Sequence, residues 1–157
     1  MRHIHSTERY QMTTGLVYLA CPYTHPSIDL RIARFEASAQ AAAYLIHQGM
    51  FIYSPITMTH PIDVAMATEN ETMGSDYWCD FDEAFMRVCD EMIILTLPGW
   101  RESKGIAREA VFFGNAGKRI RYMSANQSGY LLTDRPQDDV SPYDDKDAHA
   151  NEVQSIC

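Results

Sequence analysis

The segment between residues 89 and 123 constrains the fold of this chain more than any other stretch. Its unbroken apolar run, Met92–Leu97, follows the charged Asp90 and ends at the turn residues Pro98 and Gly99. A short apolar run between such boundaries is typical of a strand buried on both faces, as a central strand of a parallel sheet is. We therefore predict that this strand lies at the centre of the domain.

A helix and a second strand are predicted directly after this run. Ser103 is a favourable N-cap residue, and Gly117 is placed to end the helix before another apolar stretch at Ile120. The pair Lys104–Gly105 keeps the first helical turn open, close to its backbone N–H groups. Strand, helix and strand form a βαβ unit, in which ligands bind beyond the carboxyl end of the strand. The loop 98–104 and the first helical turns are therefore the expected floor of a binding site.

One carboxylate within this predicted helix is unexpected. The residues one turn before and one turn after Glu109 are all apolar: Gly105, Ile106, Phe112 and Phe113. Glu109 either lies at the edge of the buried face, paired with an arginine or reaching water, or is a partly desolvated nucleophile or base beside the ligand site. The helix alone leaves both interpretations open.

A second carboxylate of the same kind lies on the predicted helix Tyr77–Cys89. Two such carboxylates, on helices that flank one central strand, favour a shared site. The neighbours of Asp82 at helical spacing are again apolar: Trp78, Cys79, Phe85 and Met86. The predicted buried side of this helix comprises Trp78, Phe81, Phe85 and Val88.

The rest of the chain continues the alternation of strands and helices. Residues 14–133 therefore form one α/β domain, preceded by a polar flexible tail over 1–13 and followed by an acidic flexible tail over 134–157. The other predicted strands are Leu16–Ala20, Phe51–Ser54 and one around Tyr130–Leu132. The other predicted helix is Ile28–Gln48, with a buried face of Ile32, Phe35, Ala39, Ala42, Ala43 and Ile46.

Several loop residues are candidates for contact with a ligand. Tyr18 on the first strand is explained by core packing, whereas Tyr23, in the loop after it, gains little unless something packs on it. The segment Pro55–Asp76 has no sustained period and exceeds the length of an ordinary connection, so we predict an active-site flap. His60 in this segment either touches substrate or is solvated surface.

Composition narrows the classes of function. The formal charge of the 157 residues is −8 and the sequence pI is about 5.1, which argues against a nucleic-acid polymer or an anionic membrane as partner. No apolar segment approaches the ~20 residues of a membrane helix. The motifs GxGxxG and GxxxxGKS/T are absent, and the four cysteines lack metal-like spacing, so no cofactor or metal is expected. Without a secretory signal, reduced thiols and a cytoplasmic location are expected.

These positions, in this order and spacing, resemble the nucleoside 2-deoxyribosyltransferase superfamily, which includes the 2′-deoxynucleoside 5′-monophosphate N-glycosidases. The similarity covers residues 15–123 and rests on Tyr18, on Asp82 eight positions before Asp90, and on the stretch Ser103–Glu109. It implies an α/β, flavodoxin-like or Rossmann-like three-layer sandwich with a mostly parallel central sheet of about five strands. It also implies a homodimer or higher homo-oligomer.

The resemblance implies a role for each matching residue. Glu109 would be the nucleophile, Asp82 would contact the sugar hydroxyl and assist proton transfer, and Tyr18 would orient the nucleophile. The position of Ser103 is an Asp in transferases that take free nucleosides and a Ser in the monophosphate hydrolases. The chain departs from the family pattern in its loops, for example at Trp100–Arg101. These departures leave the base and the acceptor open.

The chemistry of the residues agrees with these roles. Cleavage of an N-glycosidic bond passes through an oxocarbenium-like transition state, which a carboxylate beneath C1′ can stabilise and then trap as a glycosyl-enzyme intermediate. The helix N-terminus at Ser103 offers N–H groups to a 5′-phosphate, and Arg31 adds a positive charge from the opposite wall. The expected substrate-binding residues are Tyr23, Arg31, His60, Ser103, Lys104 and Gly105.

Three other interpretations compete with a nucleotide N-glycosidase. One is a nucleoside 2-deoxyribosyltransferase that exchanges bases. Another is a non-catalytic nucleotide-binding or sensor module, although an anion-binding pocket would gain by losing both carboxylates. The last is a response-regulator receiver, which is disfavoured because its phosphoacceptor should follow a central strand, whereas Asp90 precedes one.

Overall fold

The computed structural model describes residues 15–68 and 73–137. The predicted tail 1–13 and residues 138–157 of the predicted acidic tail lie outside these ranges. The strands are β1 Leu16–Ala20, β2 Phe51–Tyr53, β3 Glu91–Leu95, β4 Arg119–Asn126 and β5 Gly129–Thr133. The helices are α1 Ile28–His47, α2 Pro55–Thr68, α3 Ser75–Val88 and α4 Lys104–Asn115.

The described strands form one sheet in the order β2-β1-β3-β4-β5. The first four strands pair in parallel, and β5 closes the edge antiparallel to β4. Helices cover both faces of the sheet, so the predicted three-layer α/β sandwich with a mostly parallel five-stranded sheet is confirmed. The strand predicted around Tyr130–Leu132 is β5.

Strand β3 is buried along its whole length, as the apolar run predicts. It lies between β1 and β4 and pairs in parallel with both. Its first residue, Glu91, is buried beside Arg121 of β4, with a nitrogen-to-oxygen distance of 2.5 Å. This ion pair compensates the charge that Glu91 brings into the sheet.

Alternate residues of β1 enter two different cores, because successive side chains of a strand point to opposite faces. Val17 and Leu19 pack with α1 and α2 on one face. Tyr18 and Ala20 pack with α3 and α4 on the other face. The sheet thereby separates an α1/α2 side from an α3/α4 side, and Tyr18 belongs to the latter.

The segment Pro55–Asp76, predicted as an active-site flap without a sustained period, contains regular helix, and its role as a flap stays a prediction. Helix α2 occupies Pro55–Thr68, and α3 begins at Ser75. The sequence period is weak because apolar residues lie on several sides of α2, with Ile56 buried but Met58 and Val64 exposed. The helix also contains Pro61, which lacks an N–H group, and two of its threonine side chains bond to backbone carbonyls. Thr57 Oγ1 donates to the Ser54 carbonyl and Thr59 Oγ1 to the Pro55 carbonyl, both at 2.9 Å.

The predicted buried faces of two helices need correction. Helix α1 buries its small residues and one leucine, whereas the predicted Ile32, Ala43 and Ile46 are exposed. The buried face of α1 includes Ser38, whose hydroxyl lies 3.0 Å from that of Ser54. A prediction that follows the largest apolar side chains misses such contacts. Val88, at the last position of α3, is also exposed. The buried residues of α1 are Ser38, Ala41, Ala42 and Leu45.

The expectation of reduced thiols holds for only part of the chain. Cys21 and Cys89 are free and buried, whereas Cys79 is disulfide-bonded. Cysteine usage therefore does not support a reducing compartment, and the cytoplasmic location stays a prediction. Among the described residues, no helix is both long and apolar enough to cross a membrane.

Arg34 of α1 joins the two loops at the carboxyl edge of the sheet. Its guanidinium donates to the Thr24 carbonyl, in the loop after β1, and to the Pro98 carbonyl, in the loop after β3, both at 3.1 Å. Because charged donors strengthen hydrogen bonds, these contacts fix one loop against the other. Arg34 therefore ties the start of the expected floor of the binding site, the loop 98–104, to the loop that follows β1.

Candidate active site

Tyr18 and Glu109 meet across the interface between β1 and α4. The Tyr18 hydroxyl donates a hydrogen bond of 2.7 Å to Glu109 Oε1. Ile106 and Phe113 are buried on α4 and lie at i−3 and i+4 from Glu109, so the carboxylate shares the face that α4 turns to the sheet. The Tyr18 ring also contacts Phe113, with centroids 5.6 Å apart. The unexpected carboxylate of the sequence is therefore held by a phenol from the first strand.

Burial dominates the electrostatics of Glu109. Desolvation, reinforced by the negative charge of Asp82, raises the pKa of Glu109 from 4.5 to about 8. The hydrogen bond from Tyr18 and the positive charge of Arg108 oppose this rise. The same desolvation, with the charges of both carboxylates, raises the pKa of Tyr18 well above 10, so Tyr18 keeps its proton and acts as a donor.

Asp82 of α3 has an equivalent but looser contact with β2. The Tyr53 hydroxyl donates to Asp82 Oδ1 at 3.4 Å, which is long for a hydrogen bond between oxygens. Desolvation raises the pKa of Asp82 from 3.8 to about 6, and both the Tyr53 hydrogen bond and the Arg108 charge oppose the rise. Asp82 therefore titrates below Glu109.

The two carboxylates titrate as an interacting pair. Their pKa values, about 6 for Asp82 and about 8 for Glu109, imply that the pair holds one proton between these two pH values. That proton is predominantly on Glu109. Two carboxyl groups with different protonation states are the arrangement that acid–base and nucleophilic chemistry requires. The structure thus brings the three predicted catalytic residues, Tyr18, Asp82 and Glu109, to one place.

Arg108 fixes the relation of α4 to α3. It donates to the Cys79 carbonyl at 3.3 Å and to Glu83 Oε2 at 3.2 Å. Both acceptors lie on α3, the helix that carries Asp82. Arg108, which precedes Glu109 in the sequence, therefore connects α4 to α3, the two helices that carry Glu109 and Asp82.

Tyr23 and His60, two of the predicted substrate-binding residues, contact each other. The Tyr23 hydroxyl and His60 Nδ1 are hydrogen-bonded, and the His60 ring stacks on Phe35 with centroids 4.5 Å apart. His60 is thus held in an aromatic cluster and is not a solvated flap residue. Tyr23 and Phe35 pack on the α1/α2 side of the sheet, opposite the face of the carboxylate pair.

Arg31 lies close enough to Tyr23 for its positive charge to influence the pKa of the Tyr23 hydroxyl. Desolvation raises the pKa of Tyr23, the positive charge of Arg31 opposes the rise, and the negative charge of Asp63 adds to it. The Arg31 Nε atom is buried and has no hydrogen-bond partner within the described ranges. A role of Arg31, Tyr23 and His60 in substrate binding stays a prediction.

The predicted anion site at the start of α4 has the expected backbone geometry. Ser103 is the N-cap, and its Oγ accepts a hydrogen bond of 3.3 Å from the Ile106 N–H group. Lys104 is the first helical residue and is exposed, and Gly105 follows it. The contribution of all three to phosphate binding stays a prediction. Within residues 15–68 and 73–137, no group of three His, Cys, Asp or Glu residues is arranged to hold a metal ion.

Sequence reasoning missed Tyr53. It stands in a short strand of three residues with no charged neighbour to draw attention to it. The signal that distinguishes it is its register: Tyr53 is the partner of Tyr18 in the parallel pairing of β1 and β2. Register between parallel strands cannot be read from a single sequence, because a helix connects them.

Comparison with known proteins gives one family match. No curated protein shows a significant similarity to the chain. The model of the family described as domain of unknown function DUF1937 matches residues 15–125, which contain β1, β2, β3 and all but the last residue of β4, together with the carboxylate pair. That range covers more than half of the sequence, and the chain therefore belongs to the DUF1937 family.

Proposed function

We propose that this protein is an N-glycosidase that cleaves the N-glycosidic bond of nucleoside or deoxynucleoside 5′-monophosphates, with Glu109 as nucleophile. The proposal draws on the resemblance to the nucleoside 2-deoxyribosyltransferase superfamily. The observation that carries it is the hydrogen bond of 2.7 Å from Tyr18 to Glu109, beside the second carboxylate of Asp82. These are the residues to which the resemblance assigns the nucleophile, its orienting group and the proton-transfer group.

The first step is a displacement at C1′ of the sugar. Because Tyr18 holds Oε1 of Glu109, the free oxygen Oε2 attacks, and a C1′–O bond forms as the C1′–N bond breaks. The bonding electrons leave with the base nitrogen, and the proton of Asp82 neutralises it. The reactive form has Glu109 ionised and Asp82 protonated, which is the minor distribution of the single shared proton.

The second step is hydrolysis of the glycosyl ester. Asp82, now ionised, accepts a proton from water as the water oxygen attacks C1′. The C1′–O bond to Glu109 breaks, and its electrons return to the carboxylate. The products are the free base and a sugar 5-phosphate, with both carboxyl groups restored to their starting states.

A phosphate at the start of α4 is the expected source of specificity. Ser103, the N–H groups of the first helical turn and the positive end of the helix dipole all favour an anion there. Lys104 adds a flexible positive charge at the same end. A carboxylate at position 103 would repel a phosphate, so the serine favours a nucleotide over a free nucleoside.

Incubation with a panel of nucleosides and 5′-monophosphates, with chromatography of the released base, tests the proposal. We expect base release from a monophosphate, loss of release in Glu109→Gln, and unchanged release in Glu36→Gln, which removes an exposed carboxylate of α1. Base exchange in place of hydrolysis would favour the transferase. Tight binding without release by the wild type would favour a non-catalytic nucleotide-binding module.

The proposal includes self-association, as the resemblance implies. Light scattering on the purified full chain measures the oligomeric state directly. A mass of twice the 17.9 kDa chain or more is expected, and a monomer at assay concentration would remove this part of the proposal.

A further inference from the structure

Tyr53 stands beside Tyr18 on the same face of the sheet. The two residues are register partners in the parallel pairing of β1 with β2, and their ring centroids are 5.8 Å apart. Both rings belong to the core on the α3/α4 side. Their hydroxyls nevertheless diverge, one to Glu109 and the other to Asp82.

The Tyr53 ring is firmly placed. It is 9% exposed and stacks on Phe85 of α3 with centroids 4.0 Å apart and planes inclined by 5°. Phe85 lies three residues after Asp82 on the same helix, so the stacking fixes the phenol relative to the carboxylate it contacts. A ring held in this way leaves its hydroxyl only rotation about the C–O bond.

Four groups act on the charge of Asp82 from the surrounding elements. Tyr53 of β2 donates a hydrogen bond, and Arg108 of α4 contributes a positive charge. Glu109 of α4 and Tyr18 of β1 also interact electrostatically with Asp82. Among these four groups, Tyr53 is the one for which the described residues show a hydrogen bond to a carboxylate oxygen of Asp82.

We propose that Tyr53 is a positioning residue for Asp82: its hydroxyl holds Oδ1 and leaves Oδ2 to carry the proton that the reaction moves. The inference rests on the proposed function for its chemical meaning. The contact of 3.4 Å is long, and catalytic hydrogen bonds tighten when substrate expels water from a site. Tyr53 thus does for the proton-transfer group what Tyr18 does for the nucleophile.

Tyr53→Phe keeps the ring and removes only the hydroxyl, so it tests the proposal directly. NMR of protein carrying carboxyl ¹³C-labelled aspartate measures the titration of Asp82, which is assigned by its loss in Asp82→Asn. Because a hydrogen bond to the ionised form lowers a carboxyl pKa, we expect the titration to move upward by roughly 0.5 to 1 pH unit in Tyr53→Phe. Tyr44→Phe, which removes a hydroxyl from the partly exposed face of α1, is the matched control and should leave it unchanged.

A second measurement uses the unaltered protein and does not depend on the variant folding. The ¹³C shift of the Tyr53 phenol carbon should follow the titration of Asp82, with the same midpoint. The proposal would be overturned if the ¹³C shift of the Tyr53 phenol carbon did not change with the titration of Asp82. It would also be overturned if the Asp82 midpoint were the same in wild type and in Tyr53→Phe.

The kinetic measurement separates this inference from the proposed function. The acid limb of the profile of kcat/KM against pH should move to higher pH in Tyr53→Phe, by the same amount as the midpoint of the Asp82 titration. A shifted titration with an unshifted acid limb would overturn the positioning role. Absence of nucleotide cleavage by the wild type would overturn the proposed function, whereas the NMR titrations would still decide whether Tyr53 holds Asp82.

Discussion

Tyr18 and Tyr53 are side-by-side partners in the β1–β2 register, yet their hydroxyls contact two different carboxylates on two different helices. The contact to Glu109 is 2.7 Å and the contact to Asp82 is 3.4 Å. In this structure the nucleophile of the proposed reaction thus has the shorter contact and the proton-transfer group has the longer one. This difference suits their tasks, because the nucleophile must be aimed at one atom and the other carboxyl group must serve two steps.

The stability of the protein should depend on pH through Glu109. Its pKa is about 8 in the folded protein and near 4.5 when solvated, so between these values the folded state binds a proton that the unfolded state does not. Stability therefore falls as pH rises from 4.5 to 8, by at most roughly 1.4 kcal/mol per pH unit. Glu109→Gln cannot ionise, and the variant should gain stability relative to wild type as pH rises.

Urea unfolding of both proteins between pH 5 and pH 9 measures this difference. Asp82 has the same sign of shift and remains in both proteins, so its contribution differs between them only by the part of its titration that responds to the charge of Glu109. Glu36→Gln on the exposed face of α1 controls for the loss of a surface charge. Parallel curves for wild type and Glu109→Gln would mean that Glu109 is not desolvated in solution.

Asp82→Asn should slow the chemical step more than it weakens substrate binding. The amide is too weak an acid to protonate the leaving base, and it cannot accept a proton from water in the second step. Loss of general acid–base assistance amounts to roughly 10²–10⁴-fold. Single-turnover kinetics with excess enzyme separates this rate from affinity. A variant with a normal single-turnover rate and a raised KM would make Asp82 a binding residue only.

Tyr18→Phe should move the alkaline limb of the pH profile. The Tyr18 hydroxyl lowers the pKa of Glu109 by donating to its ionised form, so its removal should raise that pKa above its value of about 8. The ionised nucleophile then becomes rarer at neutral pH, and kcat/KM falls there. The profile of kcat/KM against pH checks this. An unchanged alkaline limb would show that the hydrogen bond does not set the ionisation of Glu109.

Ser103 offers a test of the phosphate site that separates charge from helix capping. Asp is as good an N-cap as Ser, so Ser103→Asp should keep α4 stable while its charge repels a phosphate. Charge-assisted hydrogen bonds contribute ~1.5–3 kcal/mol, and losing one should weaken a monophosphate about ten- to a hundredfold while hardly affecting its nucleoside.

Ser103→Ala provides the complementary variant. It removes the cap without adding charge, so it should lower stability by about 0.5–2 kcal/mol and change the ratio of kcat/KM for monophosphate and nucleoside less than Ser103→Asp does. Should Ser103→Asp keep the monophosphate preference of the wild type, the phosphate does not bind at the start of α4.

Much of the fold follows from local patterns in the sequence. The bounds of β1 agree with the prediction residue for residue, and Ser103 caps α4 as its sequence context predicts. These features depend on short-range physics: a run of apolar side chains or a hydroxyl beside free N–H groups. Helix α2 was missed because Pro61 and a lack of polar alternation obscure its period, although the chain around them is helical.

The candidate site was predictable only in part. Glu109 and Asp82 stand out because each interrupts an apolar helical face, and that signal depends on near neighbours alone. Tyr53 has no such signal, because its importance arises from a register between strands that α1 connects. The relative placement of Tyr23 and His60 was likewise hidden, since it depends on where α2 lies against α1.

The central claim is that Glu109 forms a covalent bond to the sugar, and mass spectrometry can observe that bond. A 2′-fluoro-arabinosyl analogue of the nucleotide cleaved in the panel slows turnover, because its fluorine destabilises an oxocarbenium-like transition state. After rapid acid quenching, we predict that the mass of the protein increases by that of one fluorinated sugar 5-phosphate less one water and that peptide mapping places the adduct on Glu109. Release of base without any adduct, or an adduct on another residue, would contradict the account.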